Sequence, residues 1–360
     1  MYVRVAVGPD VFVFTPEGFA MPDMPPAPPP DQHLIQLIFG KWVSMAVSVA
    51  AKLRLADKLA AGPKTAADLA AETSTHAPSL YRLLRALASV GVFRSDDAGR
   101  FALTPVGELL RSGVKGSMRG VADYCGAMWS WRAWEAAETS VRTGRTAFNE
   151  VFGEGCFDYL AKHPAEQAAF DEGMTGFSAT EADAVVAAYD FSGFGTLIDV
   201  GGGHGHLLGT ILKKTPNLRG LVFDAPHVAA SAPARLAEMG VADRCKAGGG
   251  DFFKEIPAGG DAYILKHIIH DWNDEDSGKI LRNIRKVAKP GTKLLLVELV
   301  IPPGDVPHPG KILDLEMLII ASGKERTEAE YAKLVADAGF RLTRIVPTQS
   351  PASVIEAEAV

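Results

Sequence analysis

Apolar residues recur at helical spacing from Leu34 to Leu59 with few breakers, and Met45, Val49 and Leu53 fall along one stripe. That spacing predicts a long helix, buried or facing a partner. Ahead of it, residues 22 to 30 read Pro-Asp-Met-Pro-Pro-Ala-Pro-Pro-Pro, which neither continues a helix nor pairs in the centre of a sheet, so residues 1–33 are read as an arm with a stiff extended linker. After Leu59, Thr65-Ala-Ala-Asp-Leu-Ala opens a short helix behind a Thr cap and a second helix runs from Ala77 through Leu87. Gly91-Val-Phe-Arg and Arg100-Phe-Ala-Leu-Thr then predict a small hairpin around Asp96-Asp97-Ala-Gly. Helix, helix, hairpin is the order of a winged helix, so residues 34–115 are expected to form a winged-helix-like unit. Its two readings are DNA recognition and dimerisation, and a second helix with only Arg82 and Arg85 favours dimerisation.

Residues 116–190 are expected to be a helical connector. Trp129, Trp131 and Trp134 form one aromatic group, and Phe170, Met174 and Phe177 a second apolar one. Such groups are core first and ligand walls second. After Tyr189 the pattern changes to short apolar runs at 196–200, 220–224, 262–265 and 293–298, alternating with helical stretches at 205–214, 227–239 and 274–288. Strands separated by crossover helices predict an α/β, Rossmann-like, doubly wound and mostly parallel sheet over residues 191–360.

Composition narrows the class. The chain has 360 residues, of which 47% are hydrophobic and 22% charged, with a net charge of −6, which fits a soluble globular protein and argues against a nucleic-acid-binding surface over the whole molecule. Cys125, Cys156 and Cys245 are too widely spaced for a disulfide framework or zinc cluster and fit reduced thiols. No stretch approaches the roughly 18 uninterrupted apolar residues of a membrane helix, and Met1–Ala20 lacks the order of a signal peptide. The expectation is a cytoplasmic protein without nucleic-acid or membrane partners.

Three segments carry candidate chemistry. Asp199-Val-Gly-Gly-Gly-His-Gly follows a strand and opens a helix, the setting in which glycines let backbone approach a ligand. Asp224 ends the next strand, placed to hold ribose hydroxyls, and Gly250-Asp251-Phe252-Phe253 offers an acid and a ring face to an adenine. Each acid alone is equally a turn former or helix cap; three at successive strand ends point to a nucleoside site. Leu265-Lys266-His267-Ile268-Ile269-His270-Asp271-Trp272 places a histidine beside a carboxylate just past a strand, where an α/β enzyme sets a general base. His267 and His270 also have the spacing of a metal pair, but no third ligand is evident in the sequence, so no metal is expected and His267 is read as structural. His204 and His206 are read as helix-start residues.

Asp199-Val-Gly-Gly-Gly, Phe223-Asp224, Gly250-Asp251-Phe252, Lys266 with His270-Asp271-Trp272, Glu298 and Gly323-Lys-Glu-Arg-Thr327 together resemble the S-adenosylmethionine-dependent O-methyltransferases. The relatives are the plant caffeate and flavonoid enzymes and the bacterial antibiotic-tailoring enzymes, and the likeness spans roughly residues 34 to 360. It implies a class I methyltransferase fold behind a dimerisation domain, hence a homodimer. It implies that Gly201 and Gly203 pass close to the methionine part of S-adenosylmethionine, Asp224 holds the ribose, Asp251 and Phe252 contact adenine, and Lys266 and Ser178 touch the cofactor. S-adenosylhomocysteine is then the product. His270 is implied as the base, flanked by Glu298 and Glu325, with an aromatic acceptor among Met128, Trp129, Phe170, Met174, Phe177, Asp271, Met317 and Ala321. Ala321 is smaller than the polar residue of plant relatives, which points away from their phenylpropanoid substrates.

The residues support that role for His270 on physical grounds as well. Methyl transfer from a sulfonium is an in-line displacement, so the protein aligns donor with acceptor and removes the acceptor's proton. An imidazole does this near neutral pH. The alternatives are N-methylation or a repurposed homologue, a nicotinamide oxidoreductase on the same fold, and a winged-helix DNA-binding regulator.

Overall fold

The computed structural model describes the backbone of Tyr2–Gly8 and Val11–Pro16 and all of residues 28–360, with side chains from residue 28 onward except those of 175 and 177–180. Residues 22 to 27 of the expected linker lie outside the described residues. Strands β1 (Tyr2–Gly8) and β2 (Val11–Pro16) pair antiparallel. A helix then runs over Pro30–Lys52, earlier in onset than the apolar stripe predicts because Pro30 suits the first helical turn. It ends before Leu59: Arg54 takes a left-handed conformation (φ 53°), and a second short helix, Leu55–Leu59, begins there.

Strands β3 (Lys64–Thr65), β4 (Phe93–Ser95) and β5 (Arg100–Leu103) form a small antiparallel sheet in the order β3-β5-β4. Helices Ala66–Thr73 and Ala77–Ser89 lie before the β4–β5 hairpin, the expected order. The Thr65 hydroxyl accepts from the Asp68 N–H while the Asp68 carboxylate accepts from the Thr65 N–H, a capping box that fixes where the first helix starts. Between the hairpin and the large sheet come seven helices, ending with the long Pro164–Ala188.

The large sheet has seven strands: β6 (Thr196–Val200), β7 (Arg219–Asp224), β8 (Cys245–Gly249), β9 (Ala262–Lys266), β10 (Lys293–Leu299), β11 (Phe340–Pro347) and β12 (Ala352–Ala359). Their order is β11-β12-β10-β9-β6-β7-β8. Pairs from β8 to β10 are all parallel, and β12 runs antiparallel to both neighbours. The helix expected over 227–239 is two pieces, Pro226–Ala229 and Ala232–Glu238. Leu294 to Val297 on β10 are fully buried because helices cover both faces. One core layer joins Val185, Leu208, Ile211 and Leu236; the other joins Tyr263, Ile280, Ile284 and Tyr331. Strand order reverses at β6, so the ligand crevice opens at the carboxyl ends of β6, β7 and β9. The glycine turn leaves β6, the Gly250 turn leaves the neighbouring β8 and the histidine run leaves β9, all from carboxyl ends.

The helix Pro30–Lys52 presents an apolar face. By length and composition it is apolar enough to cross a membrane, with a mean hydropathy of 1.6 over its best window, although polar residues interrupt the run. Leu37, Ile38 and Trp42 are more than half exposed. Such a face needs a cover.

Candidate active site

The first wall of the crevice is the turn after β6. Gly201 has φ 73°, and a Cβ there would stand 2.5 Å from the Ile268 side chain, so the backbone passes where only glycine fits. Its N–H donates to the Phe223 carbonyl at 2.8 Å, tying the turn to β7. Asp224, at the end of β7, accepts from the Gly203 N–H (2.8 Å) and the Ala225 N–H (2.7 Å). Burial raises its pKa, and the two N–H groups oppose that rise. Beneath the turn, Asp199 is fully buried, and burial, opposed by Lys266, pushes it up to about 7.

Asp251 accepts from the Phe253 N–H at 2.9 Å and pairs with Lys254 at 3.1 Å, which together hold its carboxyl low against the effect of burial. The Phe252 carbonyl is held by the Asn283 amide at 3.0 Å. Both phenylalanines meet the Trp272 ring edge to face, at 6.2 Å for Phe252 and 4.7 Å for Phe253, so the expected adenine turn and the histidine run are one packed unit. Lys266, ending β9, lies 3.6 Å from the buried Glu181. The side chain of Ser178 lies outside the described residues. Close backbone at Gly201, a strand-end carboxylate for a diol and an aromatic face at Phe252 are a donor set that fits a nucleoside-bearing cofactor.

His270 sits in a short 3-10 turn, Ile269–Asp271, and is 8% exposed. Its Nδ1 donates to Glu325 Oε1 at 2.7 Å, and its Nε2 is 3.5 Å from Asp271. Glu298 is placed differently from its expected partner. Its Oε1 accepts from the N–H groups of Ile268 (3.2 Å) and Ile269 (2.9 Å), and its Oε2 is 3.9 Å from His270 Nδ1. Glu325 therefore touches the ring while Glu298 grips the backbone that carries it. Burial by itself lowers the His270 pKa, but Glu298, Asp271 and Glu325 outweigh it and raise the ring to about 10. Asp271 is pushed by burial up to about 6.

Sequence reasoning missed two residues that hold this turn. Arg326 is fully buried and donates to the carbonyls of Ile269 (3.1 Å), Lys324 (3.0 Å) and Trp272 (2.9 Å), with an ion pair to Asp274 at 2.8 Å. Glu181 accepts from His267 Nε2 at 2.8 Å. The sequence shows no third ligand for the His267–His270 pair, but in the fold Glu298 brings a carboxylate oxygen to them, and the three donor atoms lie within 4.8 Å of one another. Spacing in the sequence hides this because Glu298 comes from the next strand. His204 meets Ser231, and His206 opens the following helix, as expected.

The acceptor-wall candidates divide. Trp129 and Met317 are buried; Trp129 packs against Tyr124 and Phe148. Phe170, half-buried, meets Tyr124 and Phe157 edge to face, while Met174, Asp271 and Ala321 are half-buried. Met128 is 67% exposed on its helix and faces solvent. The Phe177 side chain lies outside the described residues. Phe157 was not foreseen; it lies 6.1 Å from Trp272 and links the connector helices to the histidine run. Glu316 accepts from the Tyr124 hydroxyl (2.6 Å) and the Trp134 indole (2.5 Å), fixing the connector over the sheet domain.

Residues 35–113 match the O-methyltransferase dimerisation domain and residues 134–341 match the O-methyltransferase domain. The chain belongs to the O-methyltransferase family. A phenazine O-methyltransferase, PhzM, of Lysobacter antibioticus is 49% identical over 93% of this O-methyltransferase and 98% of the relative. The crystal structure of LaPhzM superposes with a TM-score of 0.88, at 49% identity, covering 92% of this chain and all of that one. NcsB1, an O-methyltransferase from neocarzinostatin biosynthesis solved with S-adenosylmethionine and 2-hydroxy-5-methyl naphthoic acid, has a TM-score of 0.76 at 35% identity, covering 88% of this chain and 96% of that one. This O-methyltransferase therefore uses S-adenosylmethionine on a class I methyltransferase fold, and its dimerisation domain supports a homodimer. A DNA-binding role for the N-terminal unit is not favoured.

Proposed function

We propose that this O-methyltransferase methylates a hydroxyl of a planar, polycyclic aromatic acceptor of bacterial specialised metabolism, with His270 as the base. The reading divides the chain into an arm and linker (1–33), a dimerisation unit (34–115), a connector that closes over the acceptor (116–190) and a cofactor-binding domain (191–360), in a cytoplasmic enzyme. The observation that carries it is the contact between His270 Nδ1 and Glu325 at 2.7 Å, made beside the aromatic surface of Trp272, Phe157 and Phe170.

The cofactor supplies an activated methyl group; the protein supplies alignment and charge. Gly201, Gly203, Asp224, Asp251, Phe252, Lys266 and Ser178 are the residues that would hold it. Glu325 keeps the His270 ring turned so that Nε2 faces the acceptor, and stabilises the imidazolium. Its carboxylate neighbours raise its pKa to about 10, which favours the imidazolium that forms when the acceptor's proton is taken. The state needed for transfer is a phenolate beside an imidazolium. A neutral ring reaches it by taking the phenol's proton, and a charged ring reaches it by receiving an acceptor already ionised. Phenazine and naphthoate are the acceptor types named for the relatives, and the half-buried Phe170 and Met174 suit flat rings of that kind.

The test is a screen of hydroxyphenazines, hydroxynaphthoates and matched aromatic amines with labelled S-adenosylmethionine, comparing wild type with His270→Ala. Label is expected on a hydroxyl, with turnover lower by about 10²-fold or more in the variant, the range for losing a general base. Undiminished methylation by the variant overturns the assignment.

A further inference from the structure

We propose that His267, His270 and Glu298 form a site for one divalent transition-metal ion, best matched to Zn²⁺, and that its occupancy switches off methyl transfer. The site is built by the sheet. β9 and β10 are parallel neighbours with Lys266 paired to Val297, so His267 and Glu298 leave the two strand ends side by side. The 3-10 turn then brings His270 back over them.

The donor geometry suits the ion. Glu298 Oε2 is 3.5 Å from His267 Nδ1 and 3.9 Å from His270 Nδ1. A tetrahedral zinc with nitrogen and oxygen ligands at about 2.0–2.2 Å sets its donors about 3.3–3.6 Å apart; both distances to Glu298 are within a few tenths of an ångström of that, and the three donor atoms lie within 4.8 Å of one another. His267 Nδ1 and Glu298 Oε2 are both buried, face one another at 3.5 Å, and make no other hydrogen bond among the described residues. On its other side His267 donates Nε2–H to Glu181 at 2.8 Å. That carboxylate holds the ring from the far side and leaves Nδ1 facing Glu298, the arrangement that supports metal-bound histidines. His267 also holds φ 52°, a conformation uncommon for a residue with a side chain of this size.

The consequence for turnover rests on the reading of His270 as the base; the binding itself does not. A neutral imidazole bound to metal through Nδ1 carries its proton on Nε2. No lone pair then faces the acceptor, and Glu325 loses the proton it holds.

Co²⁺ added to the metal-free protein, without cofactor, tests the site directly. The expected result is one equivalent bound per chain with a visible tetrahedral spectrum lacking intense thiolate bands, displaced by Zn²⁺. In the methylation assay, micromolar Zn²⁺ inhibits and a chelator restores turnover. His267→Asn, chosen because asparagine tolerates the left-handed backbone, is expected to abolish the spectrum and raise the half-inhibiting Zn²⁺ concentration at least tenfold. Glu181→Gln is expected to weaken binding about 10-fold or more. Cys125→Ser, at the exposed thiol, leaves the spectrum intact. Co²⁺ binding that survives His267→Asn, or is lost in Cys125→Ser, overturns the site. Metal bound through His267 with full methylation overturns the switch and counts against His270 as the base.

Discussion

Gly323 lies so close to His270 that a Cβ added to it would stand 2.0 Å from the His270 carbonyl oxygen, the same oxygen that accepts from the Lys324 N–H at 2.8 Å. The turn carrying the base and the segment carrying Glu325 are thus in backbone contact, with no space for a methyl group. Gly323→Ala is expected to push the two apart and lower kcat by about tenfold or more, because small misplacements of reacting groups are expensive in rate. Steady-state kinetics with S-adenosylmethionine saturating checks it. An alanine variant with unchanged kcat shows that the turn tolerates the displacement.

The two glutamates should separate by readout. Glu325→Gln removes the charge bonded to the ring and is expected to lower kcat with little change in melting temperature. Glu298→Gln removes a fully buried carboxylate that accepts two backbone N–H groups, so its effect falls on stability as well, about 1–3 kcal/mol. Both losses of turnover should be smaller than that of His270→Ala. Equal losses for all three would contradict the ordering.

Arg326 is the strongest purely structural prediction. Its fully buried guanidinium satisfies three backbone carbonyls around His270, so Arg326→Met is expected to destabilise by about 3–5 kcal/mol, the scale for stripping a buried charged partner. Asp274→Asn, at a 64% exposed side chain, should lie well below that. Chemical denaturation of the two variants decides it; comparable losses would move the anchoring role to the ion pair.

Acid stability has an identifiable contributor far from the crevice. Burial would raise the Glu356 carboxyl, but donors from Tyr189, Thr343, Arg344 and Lys293 hold it down to about 2 against an ordinary value of 4.5. A depressed carboxyl stabilises the fold above the unfolded value and loses that contribution as pH falls toward the folded one. Glu356→Gln should therefore lower the melting temperature near pH 7, and its gap from wild type should narrow as the pH falls from about 5 to 2. A gap that widens on acidification would sink this account.

The helix Pro30–Lys52 should reveal the dimer. Leu37 is 66% exposed and Trp42 63% exposed in the single chain. A charge at either, as in Leu37→Asp, is expected to shift light-scattering mass from dimer toward monomer. A dimer unaffected by substitutions at both positions would place the interface elsewhere.

The legible part of the fold was the part written in apolar runs. Four strands, β6, β7, β9 and β10, stand out because branched and leucine residues fill them. β8 reads Cys-Lys-Ala-Gly-Gly and has too little apolar bulk to announce a strand. β11 and β12 intersperse arginine, threonine and glutamate with apolar residues; the acids of β12 are paired by Tyr189, Lys293 and Arg344, contacts that only the folded chain makes. In the crevice, His270, Asp224 and the glycine turn were recognisable by residue type and place. Glu298 and Glu325 came through family resemblance, and their different tasks did not. Glu181 and Arg326 were invisible for a physical reason: one acts on a histidine from another element, and the other on backbone carbonyls, which leave no mark in sequence.

β12 runs between β10 and β11, and its Ser353 is the register partner of Glu298. The strand that carries the anchor of the catalytic turn is flanked by one that follows all the other strands of the sheet in the chain. The cofactor side, β6 to β9, is built from contiguous βαβ units, whereas the strand behind the base is backed by the chain's last segment, so the two halves of the crevice draw their support from different stretches of sequence.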